Sequence, residues 1–135
     1  MIDKFISIKN IGRFLNCTPI GDVVFRKLTL LFAENGKGKT TLCAILRSLQ
    51  TGQHEFISER KTLGINDTTS VQIRLAGNTV SFSNNVWSST HPDIVIFDSV
   101  FIHDNVYAGD YVDHEHKKNL YRVIVGRDGV QLAEQ

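Results

Sequence analysis

Apolar and polar residues alternate around Phe5, Ile6 and Ile8, and residues 4–9 read as a first strand. Residues 16–22 hold Pro19 and Gly21 and predict a turn or loop. Two apolar runs follow, 23–25 and 28–32, and the second predicts a strand that ends directly at a glycine-rich stretch. Beyond it Leu42, Ile45, Leu46 and Leu49 recur at i, i+3, i+4 and i+7. That spacing gives one apolar stripe on a helix over residues 39–50, with Gly52 as its stop. Residues 53–69 are polar and weakly patterned and predict loop. Val71, Ile73 and Leu75 alternate with polar residues, as do Val80 and Phe82, and Ala76-Gly77-Asn78 between them signals an antiparallel hairpin. Residues 94–97, after Pro92, predict a short, wholly apolar strand. Asp113 is placed to cap a short helix through Leu120, and residues 121–125 resemble one more strand.

Composition changes this picture little. A chain of 135 residues fits one domain and buries roughly two thirds of its unfolded surface. Hydrophobic residues at 41% and charged residues at 21% argue against disorder. A net charge of +1 gives no broad electrostatic footprint for nucleic acid or anionic membrane. No apolar run approaches the ~20 residues of a membrane span, and the N-terminus lacks a signal-peptide pattern. Cys17 and Cys43 form no CxxC pair and read as reduced thiols, with Cys43 expected buried on the helix. The expected setting is cytoplasmic, with no membrane partner.

The chemistry is concentrated in Ala33-Glu34-Asn35-Gly36-Lys37-Gly38-Lys39-Thr40. Between a strand and a helix, G-x-x-x-x-G-K-[ST] is a phosphate-binding loop. Glycines at 36 and 38 let the backbone turn its N–H groups toward phosphate oxygens, and the helix N-terminus adds partial positive charge. In this pattern Lys39 contacts the β- and γ-phosphates and the Thr40 hydroxyl holds Mg²⁺. Ala33 stands where the first glycine usually does, which costs freedom if that position needs a positive φ.

The longer string from Leu30 to Leu42, with Glu-Asn-Gly-x-Gly-Lys-Thr-Thr-Leu, resembles the Walker A motif of SMC/RecF-like ABC ATPases. The opening, Ile6-Ser7-Ile8-Lys9-Asn10-Ile11-Gly12-Arg13-Phe14, is similar to their first strand. Val100-Phe101-Ile102-His103-Asp104-Asn105-Val106-Tyr107, with Glu115-His116 and Asn119-Leu120, looks like bacterial coiled-coil ATPases of the PrrC and RloC type. The resemblance implies an α/β P-loop NTPase fold: the N-terminal half of an ABC-type head, with an antiparallel β-subdomain. Residues 1–135 would form a single nucleotide-binding lobe, a fragment of a longer coiled-coil ATPase. It implies ATP and Mg²⁺ as cofactors, with Arg13, Asn35, Gly36, Lys37, Gly38, Lys39, Thr40 and Thr41 holding nucleotide. Thr40 and either Asp104 or Asn105, at the Q-loop position, would hold the metal. The implied partners are a C-terminal lobe of the same parent chain, a second head in a homodimer, and DNA or RNA as the parent's target. No signature motif is present, so no catalytic group is assigned within this lobe.

Two other tracts carry candidate chemistry. Residues 94–97 followed by Asp98 imitate a Walker B strand, but Ser99 replaces the glutamate that would polarise water, so a buried strand leading to the Q-loop is preferred. Asp113-His114-Glu115-His116 cannot converge on one metal from adjacent helical positions and reads as a solvated helix start. His54, His91 and His103 lack ligand spacing, and Trp87 lacks the basic interleaving of a base-stacking platform. A self-contained NTPase or kinase using Asp98, and an interaction domain with a vestigial loop, remain as alternatives.

Overall fold

The computed structural model describes residues 1–21 and 23–105, the last three by backbone alone. The chain divides into two compact units, Met1–Val95 and Ile96–Gln135. The first is a small α/β domain whose sheet is wholly antiparallel, in the order β2-β1-β3-β4-β5.

Strand β1 (Ile2–Ile11) extends the predicted strand by two residues at each end. Its buried residues, Phe5, Ile8 and Ile11, are three apart, whereas an ideal strand brings every second residue to one face. Register shifts against β3 re-phase the strand between Phe5 and Ser7. At the far end Asn10 sits at φ 58, in the left-handed region that asparagine tolerates. Its side-chain amide donates to the Thr68 carbonyl at 3.0 Å, and its own carbonyl accepts from Thr62 N–H at 3.0 Å. These bonds hold the bend that turns Ile11 into the core.

The predicted hairpin is β3 (Ser70–Leu75) and β4 (Asn78–Ser83), joined by Ala76 and Gly77, with Asn78 already in the strand. Both turn residues have positive φ, 46 and 83, as a twist-matched two-residue turn requires. Alanine is strained there, and two bonds from the chain start offset the strain: Ala76 N–H donates to the Met1 carbonyl and Gly77 N–H to the Asp3 carboxylate. Asn84 and Asn85, at φ 51 and 62, turn β4 into β5 (Val86–Trp87) in the same way. Strand β2 (Phe14–Cys17) pairs on the other side of β1.

Helix α1 (Lys39–Thr51) ends as predicted at Gly52, which takes φ 79 and returns its N–H to the Ser48 carbonyl. Ile45 and Leu49 are wholly buried, and Leu42 and Leu46 pack at the margin of the same core. Cys43, expected buried, is half-buried, because it lies beside that stripe rather than on it. Ser48 is a buried polar residue on the inner face. Its hydroxyl donates to the Gln53 carbonyl at 2.7 Å and accepts the Trp87 indole N–H at 2.9 Å, joining helix to β5. The predicted loop 53–69 contains a one-turn helix, α2 (Glu55–Ser58), which buries Ile57. Four residues are too few to show a helical period in sequence.

Two predicted strands are not formed. Residues 28–32 make no ladder, and Leu28, Leu30 and Phe32 are 92%, 91% and 91% exposed. Residues 94–97 are likewise non-strand, with Val95 and Phe97 exposed and Ile96 buried, so the expected buried strand is corrected to an irregular segment. Apolar composition favours extended chain, but a strand exists only where a neighbour supplies ladder hydrogen bonds. In the second unit α3 (Ser99–Asn105) follows. The predicted helix after Asp113, the His-Glu-His tract and the strand at 121–125 lie outside the described residues. Among the described residues no helix is long and apolar enough to cross a membrane.

Replacing Ser48 with alanine strips the buried Trp87 indole and the Gln53 carbonyl of a shared partner. Ser48→Ala should lower stability by about 1–3 kcal/mol in urea unfolding. An unchanged midpoint would refute the bridge.

Candidate functional site

Helix α1 begins without a side-chain cap. Its N-cap is Gly38, at φ 98 and ψ 10, and no acidic residue stands in the first turn. The first helical bond runs from Leu42 N–H to the Gly38 carbonyl at 3.0 Å, so the N–H groups of Lys39, Thr40 and Thr41 precede the ladder. They point out of the helix end where its dipole is positive. Gly36 adds a second left-handed residue, at φ 75. Ala33 lies outside the left-handed region, so alanine carries no conformational cost where the motif usually has glycine.

Lys39 folds back over the loop, its ammonium donating to the carbonyls of Ala33 and Glu34, the latter at 2.9 Å. The charge is thereby held directly above the backbone that precedes the helix. Lys37 points elsewhere, its ammonium 3.8 Å from the Glu34 carboxylate with both groups exposed, a weak pair in solvent.

The loop faces the β1–β2 turn. Gly12 takes φ 57, and a Cβ built there would lie 2.9 Å from Thr41 Oγ1. From the opposite side Gly12 N–H donates to the Arg60 carbonyl at 2.6 Å, and the Thr62 hydroxyl donates to the Gly12 carbonyl at 2.8 Å. A Cβ on Gly38 would lie 2.7 Å from Phe14 Cζ, so the ring rests directly on the loop backbone. Between turn and loop is an open concavity of about 280 Å³, lined by Gly12, Arg13, Asn35, Gly36, Gly38, Lys39, Thr40 and Thr41.

Seven of the expected nucleotide-holding residues therefore share one concavity, and Lys37 does not line it. Gly12 also lines the concavity, although the phosphate-loop pattern gives it no role. Its signal was present in the sequence, a glycine immediately before Arg13, but only the contact with Thr41 gives it meaning. Of the expected metal site, Thr40 is exposed at the concavity, while the side chains of Asp104 and Asn105 lie outside the described residues.

Asp98 has a structural task. Its carboxylate accepts from Phe101 N–H at 2.9 Å and its carbonyl from Ile102 N–H at 2.9 Å, which makes it the N-cap of α3.

No family model, curated protein or solved structure matches this chain.

Gly36→Ala and Gly38→Ala separate the two demands on glycine. Both force alanine into left-handed backbone, which costs roughly 1–2 kcal/mol, but space is open beside Gly36 and closed by Phe14 beside Gly38. Gly38→Ala should therefore destabilise more in urea unfolding, and equal costs would argue against the ring contact.

Proposed function

We propose that this chain binds ATP with Mg²⁺ as the N-terminal lobe of an SMC/RecF-like ATPase head. The observation that carries the reading is the convergence of Arg13, Gly36, Gly38, Lys39, Thr40 and Thr41 on one concavity at the uncapped start of α1. Open N–H groups, a positive helix end and two cationic side chains suit a polyphosphate. Bound ATP supplies the phosphoanhydride to be cleaved, and Mg²⁺ neutralises charge on it. The N–H groups of Lys39, Thr40 and Thr41 donate to phosphate oxygens without rearranging the helix. Lys39 exchanges its two carbonyl partners for phosphate oxygens, a stronger charge–charge contact. The Thr40 hydroxyl, exposed at the concavity, would hold the metal as the phosphate-loop pattern implies.

The reading as half of a head is supported by the run entering the loop. Leu28, Leu30 and Phe32 are nearly fully exposed, and burying each side chain would be worth roughly 1.5–3 kcal/mol. Such a run beside a binding site calls for a covering partner. In this proposal the partner is the C-terminal lobe of the same parent chain, which also brings the groups that align water. A second head and a DNA or RNA target belong to the parent. The free thiols of Cys17 and Cys43 agree with a reducing, cytoplasmic setting. A self-contained NTPase using Asp98 is disfavoured because that carboxylate caps α3.

Ground-state phosphate contacts without a water-aligning group give binding without turnover. The chain alone should bind ATP and hydrolyse it negligibly, and adding the C-terminal lobe should restore hydrolysis. Lys39→Ala removes a charge-assisted contact of roughly 1.5–3 kcal/mol, so calorimetric affinity should fall by about one to two orders of magnitude. Unchanged affinity in a folded variant would overturn the phosphate-site reading, and steady turnover by the chain alone would overturn the half-head reading.

A further inference from the structure

Phe14 is half-buried at the start of β2 and is paired across the turn with the wholly buried Ile11. Its ring packs against the core on one side and touches the backbone of Gly38 at its tip. It is joined directly to Arg13, whose side chain is exposed and lines the concavity. The turn itself is fixed by the bonds of Gly12 to Arg60 and Thr62 and by its contact with Thr41. The chain thus meets the start of α1 at two glycine contacts, Gly12 on Thr41 and Phe14 on Gly38.

From this geometry we infer that Phe14 is a positioning residue for the phosphate site. Its ring holds the loop at Gly38 and the turn at Arg13 in one fixed relation, so that the guanidinium and the N–H groups of α1 address the same ligand. Gly36 and Gly38 have left-handed backbone with few restraints of their own, and Arg13 is a long side chain at a turn. An aromatic ring packed against the core transmits the position of the sheet to the loop, because packed groups resist displacement where solvated ones do not. The inference rests on the nucleotide-binding reading.

The test is a double-mutant cycle on the full chain, with Mg²⁺–ATP as the calorimetric probe and thermal unfolding as the check on folding. Phe14→Ala should weaken binding by about tenfold, since small misplacements of binding groups are costly. Arg13→Ala should weaken binding in the otherwise native chain and have little further effect once Phe14 is gone, because the two act through one geometry. Phe14→Leu, which keeps apolar volume but lacks the ring tip, should give the same loss of coupling, and it carries the comparison if Phe14→Ala does not fold. Losses that multiply independently would reduce Phe14 to a core residue and overturn the inference. So would folded Phe14 variants with affinity within about twofold of native, provided Lys39→Ala still abolishes tight binding. A native chain that binds no ATP would overturn the nucleotide reading, and this inference with it.

Discussion

The seating of α1 on the sheet determines where the helix starts, and the candidate site depends on that start. Ile45 and Leu49 lie in one core with Ile8, Ile11, Val71, Ile73 and Phe82, and Ser48 fixes the helix rotation through Trp87. The anchoring contacts are in the second half of the helix. The first turn, Lys39 to Thr41, is therefore free to end in a concavity instead of in the core. Packing supplies the stability that a capping side chain would otherwise contribute, and the N–H groups stay open. A serine or aspartate at position 38 would satisfy those donors and compete with any anion for them.

The second constraint is the irregularity of β1. A regular strand would send Ile11 and the turn beyond it in another direction. The left-handed Asn10, pinned by Thr68 and Thr62, and the register shifts against β3 put Ile11 in the core and bring Gly12 and Arg13 to the loop. The concavity is then a meeting of two glycine-containing turns from distant parts of the sequence. The glycines serve two different ends. Gly36 supplies a backbone conformation, while Gly12 and Gly38 also supply room for a neighbour.

The exposed run at 28–32 is where local preference and tertiary context part. The run is apolar and includes the strand-favouring Thr29 and Phe32, yet the described sheet offers it no ladder. Leu28, Leu30 and Phe32, nearly fully exposed at alternate positions, leave a large hydrophobic free energy unused. The candidate site is therefore flanked by a surface that a partner could cover, so the proposed nucleotide binding and the proposed assembly involve neighbouring residues.

Regular elements were legible in the sequence because their periods are local. The stripe Leu42, Ile45, Leu46, Leu49 with Gly52, and the alternation around Ala76-Gly77, specify α1 and the β3–β4 hairpin without reference to anything else. The glycines and lysine of the loop were legible for the same reason, since the phosphate-loop pattern lies within eight residues. Tertiary structure alone decided whether apolar runs become strands, as 28–32 and 94–97 illustrate, because a ladder needs a neighbour that composition does not name. It also decided the task of Asp98, a strand-end acid in sequence and a helix cap in space. The pairing of Gly12 with Thr41 and of Phe14 with Gly38 was likewise hidden, because contact between segments some 24 to 29 positions apart is fixed by how β1 bends and where α1 docks, and neither is written in the spacing of the residues that meet.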